Sequence, residues 1–484
     1  MSTKRHTIYN TAGALIPLAV ALLTIPAYLH TIGEIRYGVL MLAWVLLGNF
    51  GVFDLGLGAA LAQRIAALRN AGHSERATAF WTALGANAAF GAVGGVILLP
   101  VGAYFFSNMA SIPPEIRGEI DVAIFWLAVA VPITTISGAL TGALQGDAFF
   151  LRLNVSSIFG AVLFQLLPLL VALSGHVELS VLMPAVIVAR VLSMGALMIA
   201  CRGYLGSFTH AAWSMPELSR MMKVGGWISL TTIVSPIVLA SDRVAIGVLS
   251  GTSAVTSYGV PYQLGERSTI FSYAVASALF PRFATASANE ASRLARDGQK
   301  VIAVIMTPAI MAAIVLLEPF LSWWVSQEFA ERSALAGQVL LVGFWLNGFA
   351  KIPHLQLQAT GRPDLVAKTI LLQIIPYGLA LYFAVTAFGA IGAAIAFAAK
   401  AALDAAMLAW LTGELGTTTR LLSIPALLLS ALSISLLLDS SELGSQIGLL
   451  LTFLAVTAWS WKTTPDQYKD QVKRSFGNLL REGG

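Results

Sequence analysis

Length, composition and charge set the first limits on this chain. Its 484 residues are 57% hydrophobic and 11% charged, with a formal net charge of +5. Ordinary soluble domains are about 45–50% apolar and about 25% charged, so a soluble globular protein is excluded. The single cysteine, Cys201, excludes an intrachain disulfide and leaves no paired spacing for a metal site.

Apolar segments recur along the whole chain. A helix needs about 20 apolar residues to cross about 30 Å of hydrocarbon. The segments lack the short-range alternation that a membrane barrel requires, so we predict an all-α polytopic membrane protein with about fourteen transmembrane helices. The predicted spans are 8–30, 38–62, 79–106, 121–144, 154–174, 180–201, 224–250, 256–280, 300–324, 334–358, 365–387, 390–412, 421–438 and 446–461.

Basic residues outside these spans predict the orientation of the chain. Twenty-one lysines and arginines fall on one side, and only Arg36, Arg117 and Arg332 fall on the other. The positive-inside rule then places both termini in the cytoplasm, which requires an even number of spans. We expect the first apolar run to remain as a span rather than to be a cleaved signal peptide. Topology accounts for the positive charge, so we expect no nucleic-acid partner.

Two halves of the chain carry the same motifs in the same order. Six spans separate the copies, so both copies share one orientation. We predict an N-terminal lobe at 1–205 (spans 1–6), a pseudo-symmetric C-terminal lobe at 206–415 (spans 7–12), two further helices within 416–461, and a cytoplasmic tail at 462–484. The paired motifs are Ile32-Gly33 to Tyr37-Gly38-Val39 with Ser250-Gly251 to Tyr258-Gly259-Val260, Gln63-Arg64-Ile65-Ala66 with Pro281-Arg282-Phe283-Ala284, Gln165-Leu166-Leu167-Pro168 with Gln373-Ile374-Ile375-Pro376, and Ala189-Arg190 with Ala399-Lys400.

Three glycines in span four predict close helix packing. Gly138, Gly142 and Gly146 are spaced four residues apart, which lets the backbones of two helices approach each other.

The sequence lacks the common motifs of nucleotide and metal chemistry. The chain has no GxxxxGK[ST] loop for ATP, no HExxH and no CxxC. We therefore predict that the protein is not an enzyme and holds no cofactor. Energy would come from a gradient, of protons or sodium, or from the substrate itself.

Nine ionisable residues fall inside the predicted spans. Each costs about 3 kcal/mol on insertion scales, so such residues mark a hydrated path or a substrate site by default. Five bases against four acids leave a surplus of one positive charge. The nine either form an ion-pair network that only locks helices together or line a cavity that binds an anion. They are Asp54, Arg190, Asp242, Arg243, Glu266, Arg267, Lys351, Lys400 and Asp404.

The positions of the bases suggest an anionic ligand. Arg190 and Lys400 occupy equivalent positions of the repeat, and Lys351 lies in span ten near its predicted cytoplasmic end. A diphosphate or an acidic sugar would suit them, because arginine binds phosphate oxygens through paired hydrogen bonds. Lys400 and Asp404 are four residues apart and would alternatively neutralise each other.

The remaining acids leave alternatives open. Neighbouring residues point about 100° apart on a helix. We therefore expect the adjacent pairs Asp242-Arg243 and Glu266-Arg267 to bond across helices, for example Asp242 with Arg267. Asp54 has no base within its span. It would either carry a coupling proton or tether the helix end to Arg64 or a neighbouring loop.

Short motifs follow one another in a defined order along the chain. They are Asn10-x-x-Gly13 with Pro17 and Pro26, Ile32-Gly33-x-x-x-Tyr37-Gly38-Val39, Phe53-Asp54-Leu55-Gly56-Leu57-Gly58, Ser241-Asp242-Arg243 with Gly247 and Gly251, Tyr258-Gly259-Val260-Pro261, Ala278-Leu279-Phe280-Pro281 and Ala359-Thr360-Gly361-Arg362-Pro363. Together they resemble the motifs of one family, the polysaccharide repeat-unit flippases of the multidrug/oligosaccharidyl-lipid/polysaccharide (MOP) transporter superfamily. The likeness covers most of the chain and fades after about residue 420.

The resemblance implies alternating access by two lobes. The cargo would be an undecaprenyl-diphosphate-linked oligosaccharide, moved from the cytoplasmic to the outer leaflet of a bacterial inner membrane for O-antigen, capsule or exopolysaccharide synthesis. Membrane lipids and a polysaccharide polymerase with its export machinery would be partners. The implied contacts to the diphosphate or an acidic sugar come from Arg190, Arg243, Arg267, Lys351 and Lys400, and the implied pairing or ion-coupling groups are Asp54, Asp242, Glu266 and Asp404.

Relatives within the superfamily provide the alternative. Lipid II flippases are expected to have basic residues in the first span, and this chain has none there after Arg5. Multidrug antiporters usually have twelve spans with an acid in the first, which is also missing here. Cation-coupled export of a drug or metabolite is therefore the second reading. An intramembrane glycan-processing enzyme is the third, although the predicted loops are short.

Overall fold

A computed structural model of the protein describes residues 3–49, 53–69, 71–107, 114–205, 213–283, 285–438, 442–464 and 469. Every regular element within these ranges is an α-helix, as predicted. The helices are α1 (Thr3–Asn49), α2 (Leu57–Ala67), α3 (His73–Ser107), α4 (Pro114–Gly146), α5 (Phe150–Leu173), α6 (Leu179–Ala200), α7 (Arg202–Leu205), α8 (Met215–Ser250), α9 (Thr252–Glu266), α10 (Thr269–Phe283), α11 (Ala288–Trp324), α12 (Gln327–Ala359), α13 (Pro363–Leu411), α14 (Leu415–Leu438) and α15 (Glu442–Thr463).

Several of these helices have the length and composition of membrane spans. Seven segments within the described part of the chain are long and apolar enough to cross a bilayer. The chain is therefore a multi-pass membrane protein. The seven are His73–Tyr104, Ile116–Gly146, Phe150–Leu173, Leu179–Ala200, Ala288–Trp324, Gln327–Ala359 and Pro363–Leu411.

The two longest helices each contain a sharp change of backbone direction. α1 has 47 residues with non-helical angles at Gly33 (φ 76°, ψ 166°), and α13 has 49 with non-helical angles at Gly389 (φ 56°, ψ −131°). Positive φ favours glycine because it has no Cβ. Gly33 lies between predicted spans one and two, and Gly389 lies between predicted spans eleven and twelve.

Two predicted spans differ from the continuous helices that the hydropathy indicated. The segment 38–62 is interrupted at residues 53–56, and the segment 256–280 is interrupted between Glu266 and Thr269. Hydropathy did not reveal these breaks, because a short polar turn hardly changes the average over 20 residues. Local hydrogen bonds support the second turn: the Ser268 hydroxyl donates to the Gly265 carbonyl at 2.7 Å.

The chain divides into two compact units, Met1–Thr256 and Ser257–Gly484. This division lies about 50 residues beyond the predicted lobe boundary at 205/206, because α8 packs with α1, α2 and α3. Arg64 on α2 forms an ion pair with Glu217 on α8. The Ser253 hydroxyl, just after α8, donates to the Glu34 carboxylate at 2.9 Å. The predicted lobes, which follow the repeat, stay a prediction.

Close packing of α4 on α2 organises the first unit. A Cβ on Gly142 would collide with the carbonyl oxygen of Gly58, and one on Gly146 would lie 2.7 Å from that of Ala62. The predicted role of the glycine stripe in close packing is confirmed. Side chains of α2, α3, α4 and α6 form a buried apolar core beside this contact.

Ion pairs hold both ends of α4. Near its start, Arg36 bonds Glu119 at 2.6 Å, and this hydrogen bonding raises the pKa of Arg36. Just past its end, Asp147 pairs with Arg76 and accepts a hydrogen bond from the Tyr204 hydroxyl at 2.7 Å. Burial raises the pKa of Tyr204, so the phenol remains a donor. These contacts clamp α1, α3 and α7 to α4.

The second unit is built on α11, α12 and α13. Tyr262, Phe344 and Phe397 pack together with ring centroids 4.9–5.6 Å apart and join α9, α12 and the second leg of α13. The C-terminal helices belong to this unit. Arg296 on α11 bonds Glu414 before α14 at 3.1 Å, and the Thr418 hydroxyl donates to Gln299 at 3.1 Å.

Candidate functional site

Of the two in-span bases of the first unit, Arg243 pairs with Asp242, whereas Arg190 on α6 has no countercharge among the described residues. Its guanidinium carbon lies 4.3 Å from the centre of the Phe164 ring on α5. Its Nε is shielded from solvent and has no hydrogen-bond partner among the described residues. Within that part of the chain no carboxylate forms an ion pair with it. A buried donor left unsatisfied costs about 1–3 kcal/mol, so this group is suited to receive an anion.

An aromatic wall continues from Arg190 to α1. Trp44 packs on Phe164 with centroids 5.6 Å apart, and Tyr28 packs on Trp44 at 5.7 Å. The Tyr28 hydroxyl donates to the Gln165 carbonyl at 2.7 Å. The Trp44 indole nitrogen is a second buried donor without a partner in the described residues. The two donors without partners, Arg190 Nε and Trp44 Nε1, therefore belong to side chains that both pack on the Phe164 ring. Such donors suit a polar, anionic ligand. We call Tyr28, Trp44, Phe164 and Arg190 the arginine site.

The corresponding base of the second unit is neutralised. Lys400 Nζ lies 2.7 Å from Asp404 Oδ2 on the second leg of α13. Gln373, on the first leg, donates its amide to Asp404 Oδ1, also at 2.7 Å. The possible local pairing of Lys400 with Asp404 is therefore confirmed. One of the two equivalent repeat positions thus holds Arg190, which has no ion-pair partner among the described residues. The other holds Lys400, which is paired with Asp404.

Lys351 on α12 interacts with an aromatic side chain. Its Nζ lies 3.3 Å from the Tyr273 hydroxyl and 4.6 Å from the centre of that ring on α10. His354 follows one turn later, and its Nε2 lies 3.0 Å from Gln358 Nε2. His354 was not among the residues predicted from the sequence. The three-residue spacing from Lys351 placed the two on one helix face and was the available signal.

The adjacent pair Asp242-Arg243 differs from its prediction. Asp242 Oδ1 accepts a hydrogen bond from the backbone N–H of Arg243 at 2.7 Å and lies 3.4 Å from the Arg243 guanidinium. The expectation that such a pair does not close on itself was wrong. The helical angle fixes only the Cβ directions, and the long arginine side chain bends back. The suggested bond from Asp242 to Arg267 stays a prediction.

The other two acids and the last base lie at helix interruptions. Asp54 Oδ1 accepts a hydrogen bond from the Gly56 backbone N–H at 2.7 Å, just before α2. Asp54 therefore ties down this turn, whereas Arg64 pairs with Glu217 instead. Glu266 and Arg267 are exposed in the turn between α9 and α10 and form no side-chain ion pair with any described residue. Of the nine charged residues, four form ion pairs with one another, Asp242 with Arg243 and Lys400 with Asp404. The other five form no ion pair with a described residue.

The chain is similar to known proteins over most of its length. The family model described as "Polysaccharide biosynthesis protein" matches residues 34–334. A curated relative from Shigella flexneri, named "Putative O-antigen transporter", is 26% identical over 416 residues, which cover 85% of this chain and 98% of the relative.

Solved structures share the fold. One titled "Lipid II flippase MurJ, inward closed conformation" has a TM-score of 0.71 at 11% identity and covers 96% of this chain and 99% of its own. An inward-facing multidrug resistance MATE transporter of the MOP superfamily has a TM-score of 0.67 at 15% identity, with coverages of 85% and 98%. Together with the family model and the relative, these folds confirm the superfamily resemblance found in the sequence.

Proposed function

Because the matched region covers more than half of its 484 residues, the chain belongs to the polysaccharide biosynthesis protein family, and we propose that it flips a lipid-linked oligosaccharide. The proposed cargo is an undecaprenyl-diphosphate-linked repeat unit. The proposed direction is from the cytoplasmic to the outer leaflet of a bacterial inner membrane, by alternating access. The protein would act as a transporter rather than an enzyme, with membrane lipids and the polysaccharide polymerase and export machinery as partners.

Arg190 is the observation that carries this proposal. Its guanidinium lies over the Phe164 ring, its Nε is buried without a hydrogen-bond partner, and no carboxylate of the described residues forms an ion pair with it. An ion pair that only locked helices would place a carboxylate there, because a buried base needs compensation. A diphosphate would supply that charge through paired hydrogen bonds. Lys351, Lys400 and Arg243 would add contacts once the cargo competes with their present partners, and Arg267 would add a contact without such competition.

Ion coupling is assigned to the acids. Asp242 and Asp404 are engaged by Arg243 and Lys400. Asp54 and Glu266 form no ion pair in the described part of the chain, so they are the better candidates to carry a proton or sodium ion. Both lie at helix interruptions, where freed backbone carbonyls help to coordinate an ion.

A topology of fourteen spans in two lobes fits the helix pattern. α1 and α13 would each supply two spans, divided at Gly33 and Gly389. The Gly33 conformation recurs at Gly251 (φ 87°, ψ 174°), its partner in the sequence repeat. In both halves the second span is interrupted. These matched irregularities support the repeat, and the basic loops support cytoplasmic termini.

Cation-coupled export of a drug or metabolite is the second candidate. The fold match to a MATE transporter favours it. An organic cation would require a surplus of acid in the site, whereas the arginine site contains an uncompensated base. We therefore rank it second.

The leaflet in which lipid-linked oligosaccharide accumulates tests the proposal. Cells lacking the protein are compared with cells that express it, using a membrane-impermeant probe of the outer leaflet. Accumulation confined to the inner leaflet, reversed by the intact chain, is the expected result. Normal outer-leaflet display in the deleted strain would contradict flipping and favour small-molecule export.

A further inference from the structure

A groove between α5 and α6 shares no lining residue with the arginine site. It has a volume of about 970 Å³ and is lined by apolar side chains of both helices. Gly195 forms part of its wall, and a Cβ added there would meet no atom within 4 Å. Apolar side chains facing lipid are ordinary in a membrane protein. A concave apolar channel of this size is a more specific feature, because it offers a place for one chain. Its apolar walls include Val155, Phe159, Val191, Leu192 and Ile199.

One end of the groove is basic. Arg152 and Arg202 both line it, and both side chains are exposed. The Arg152 guanidinium lies 4.6 Å from the Phe149 ring and 3.4 Å from the Ala200 carbonyl oxygen. Neither arginine forms an ion pair with a described residue. The groove therefore combines an apolar channel with two available guanidinium groups at its mouth.

The length of the groove matches one leaflet. From Val191 to Ala200, where α6 ends, the helix advances nine residues, which is about 14 Å. The hydrocarbon core is about 30 Å thick, so the channel spans about half of it. Under the proposed topology this is the cytoplasmic leaflet. A ligand that fits has an anionic head at the membrane surface and an apolar tail within the same leaflet.

We propose that this groove holds the prenyl tail of a polyprenyl diphosphate when the cargo first docks from the cytoplasmic leaflet, with its diphosphate on Arg152 and Arg202 before it moves to the arginine site. The assignment rests on the proposed function and identifies where the lipid part of the cargo docks. Two arginines match two phosphoryl groups, because each guanidinium can bind phosphate oxygens in a bidentate manner. A single furrow between two helices suits one unbranched run of isoprene units better than the two acyl chains of a phospholipid.

Photolabelling tests this site directly. The full chain in phosphatidylethanolamine vesicles is exposed to a polyprenyl diphosphate that carries a diazirine in its tail, and labelled peptides are mapped by mass spectrometry. Label on α5 and α6 is expected. Gly195→Phe should reduce that label about tenfold by filling the groove. Gly378→Phe is the matched control, since Gly378 is an exposed α13 glycine that also has open space around its Cβ.

The basic end is tested by a charge variant. Arg152→Gln combined with Arg202→Gln should weaken labelling by at least about tenfold, since two charge-assisted contacts are lost. Unchanged label in Gly195→Phe, or equal competition by phosphatidylglycerol at the same concentration, would overturn the assignment.

Transport is scored separately in the same vesicles. Failure of the intact chain to move lipid-linked oligosaccharide would refute the proposed function. The labelling experiment would still show, independently of transport, whether the groove binds the prenyl tail. Transport that is normal in Gly195→Phe would refute the groove and leave the flippase intact.

Discussion

Replacing Arg190 with glutamine separates a binding role from a structural role. In the free protein, Arg190 gains a cation–π contact with Phe164 at 4.3 Å, worth about 0.5–2 kcal/mol. Its buried Nε has no partner in the described residues, which costs about 1–3 kcal/mol. These two effects nearly cancel. We therefore expect Arg190→Gln to change the free energy of unfolding by no more than about 1 kcal/mol.

Cargo binding should respond much more strongly. A hydrogen bond to a charged group contributes about 1.5–3 kcal/mol, so removal of the guanidinium should weaken diphosphate binding about 10- to 100-fold. Arg190→Lys keeps the charge but loses the paired geometry, and it should restore binding only in part. The assay combines thermal unfolding of the purified protein with outer-leaflet display of lipid-linked oligosaccharide in cells.

A matched variant controls for the loss of positive charge. Arg420→Gln removes an exposed arginine on α14 and should leave both stability and transport unchanged. The reasoning would be refuted if Arg190→Gln unfolded several kcal/mol more easily while the remaining folded protein transported normally. Arg190 would then serve only to hold α6 against α5.

Three further outcomes are expected. Asp404→Asn leaves Lys400 without its countercharge and should destabilise the protein by about 3–5 kcal/mol, measured by thermal unfolding; full stability would mean that Lys400 already points to water. Gly142→Ala collides with a backbone carbonyl of α2 and should cost about 1–3 kcal/mol, whereas Gly118→Ala, with open space around its Cβ, should cost little; equal losses would argue against close packing there. Lys351→Gln should reduce transport with little change in thermal unfolding, because within the described part of the chain its hydrogen bond and ring contact are with one half-exposed tyrosine; unchanged transport would indicate that this lysine only extends toward water.

Asp54 and Arg190 illustrate how far the sequence led toward the site. Both were recognised as exceptional because an ionisable residue inside an apolar segment is costly wherever it points. The sequence did not reveal that Asp54 secures a turn through the Gly56 N–H, because hydropathy averages conceal a short helix break. It also placed Arg190 and Lys400 in equivalent positions and left the pairing of Lys400 with Asp404 as an alternative, which the contact at 2.7 Å decides.

The sequence by itself determined that the chain is a helical, multi-pass membrane protein with charges buried in its spans. These conclusions follow from local quantities, because a lipid-exposed segment must be apolar and must satisfy its own backbone hydrogen bonds. Only the tertiary structure decided which charges are compensated, where helices are interrupted, and that α5 and α6 enclose a groove. Those properties depend on the reach of side chains and on the spacing of neighbouring helices, which no single segment specifies.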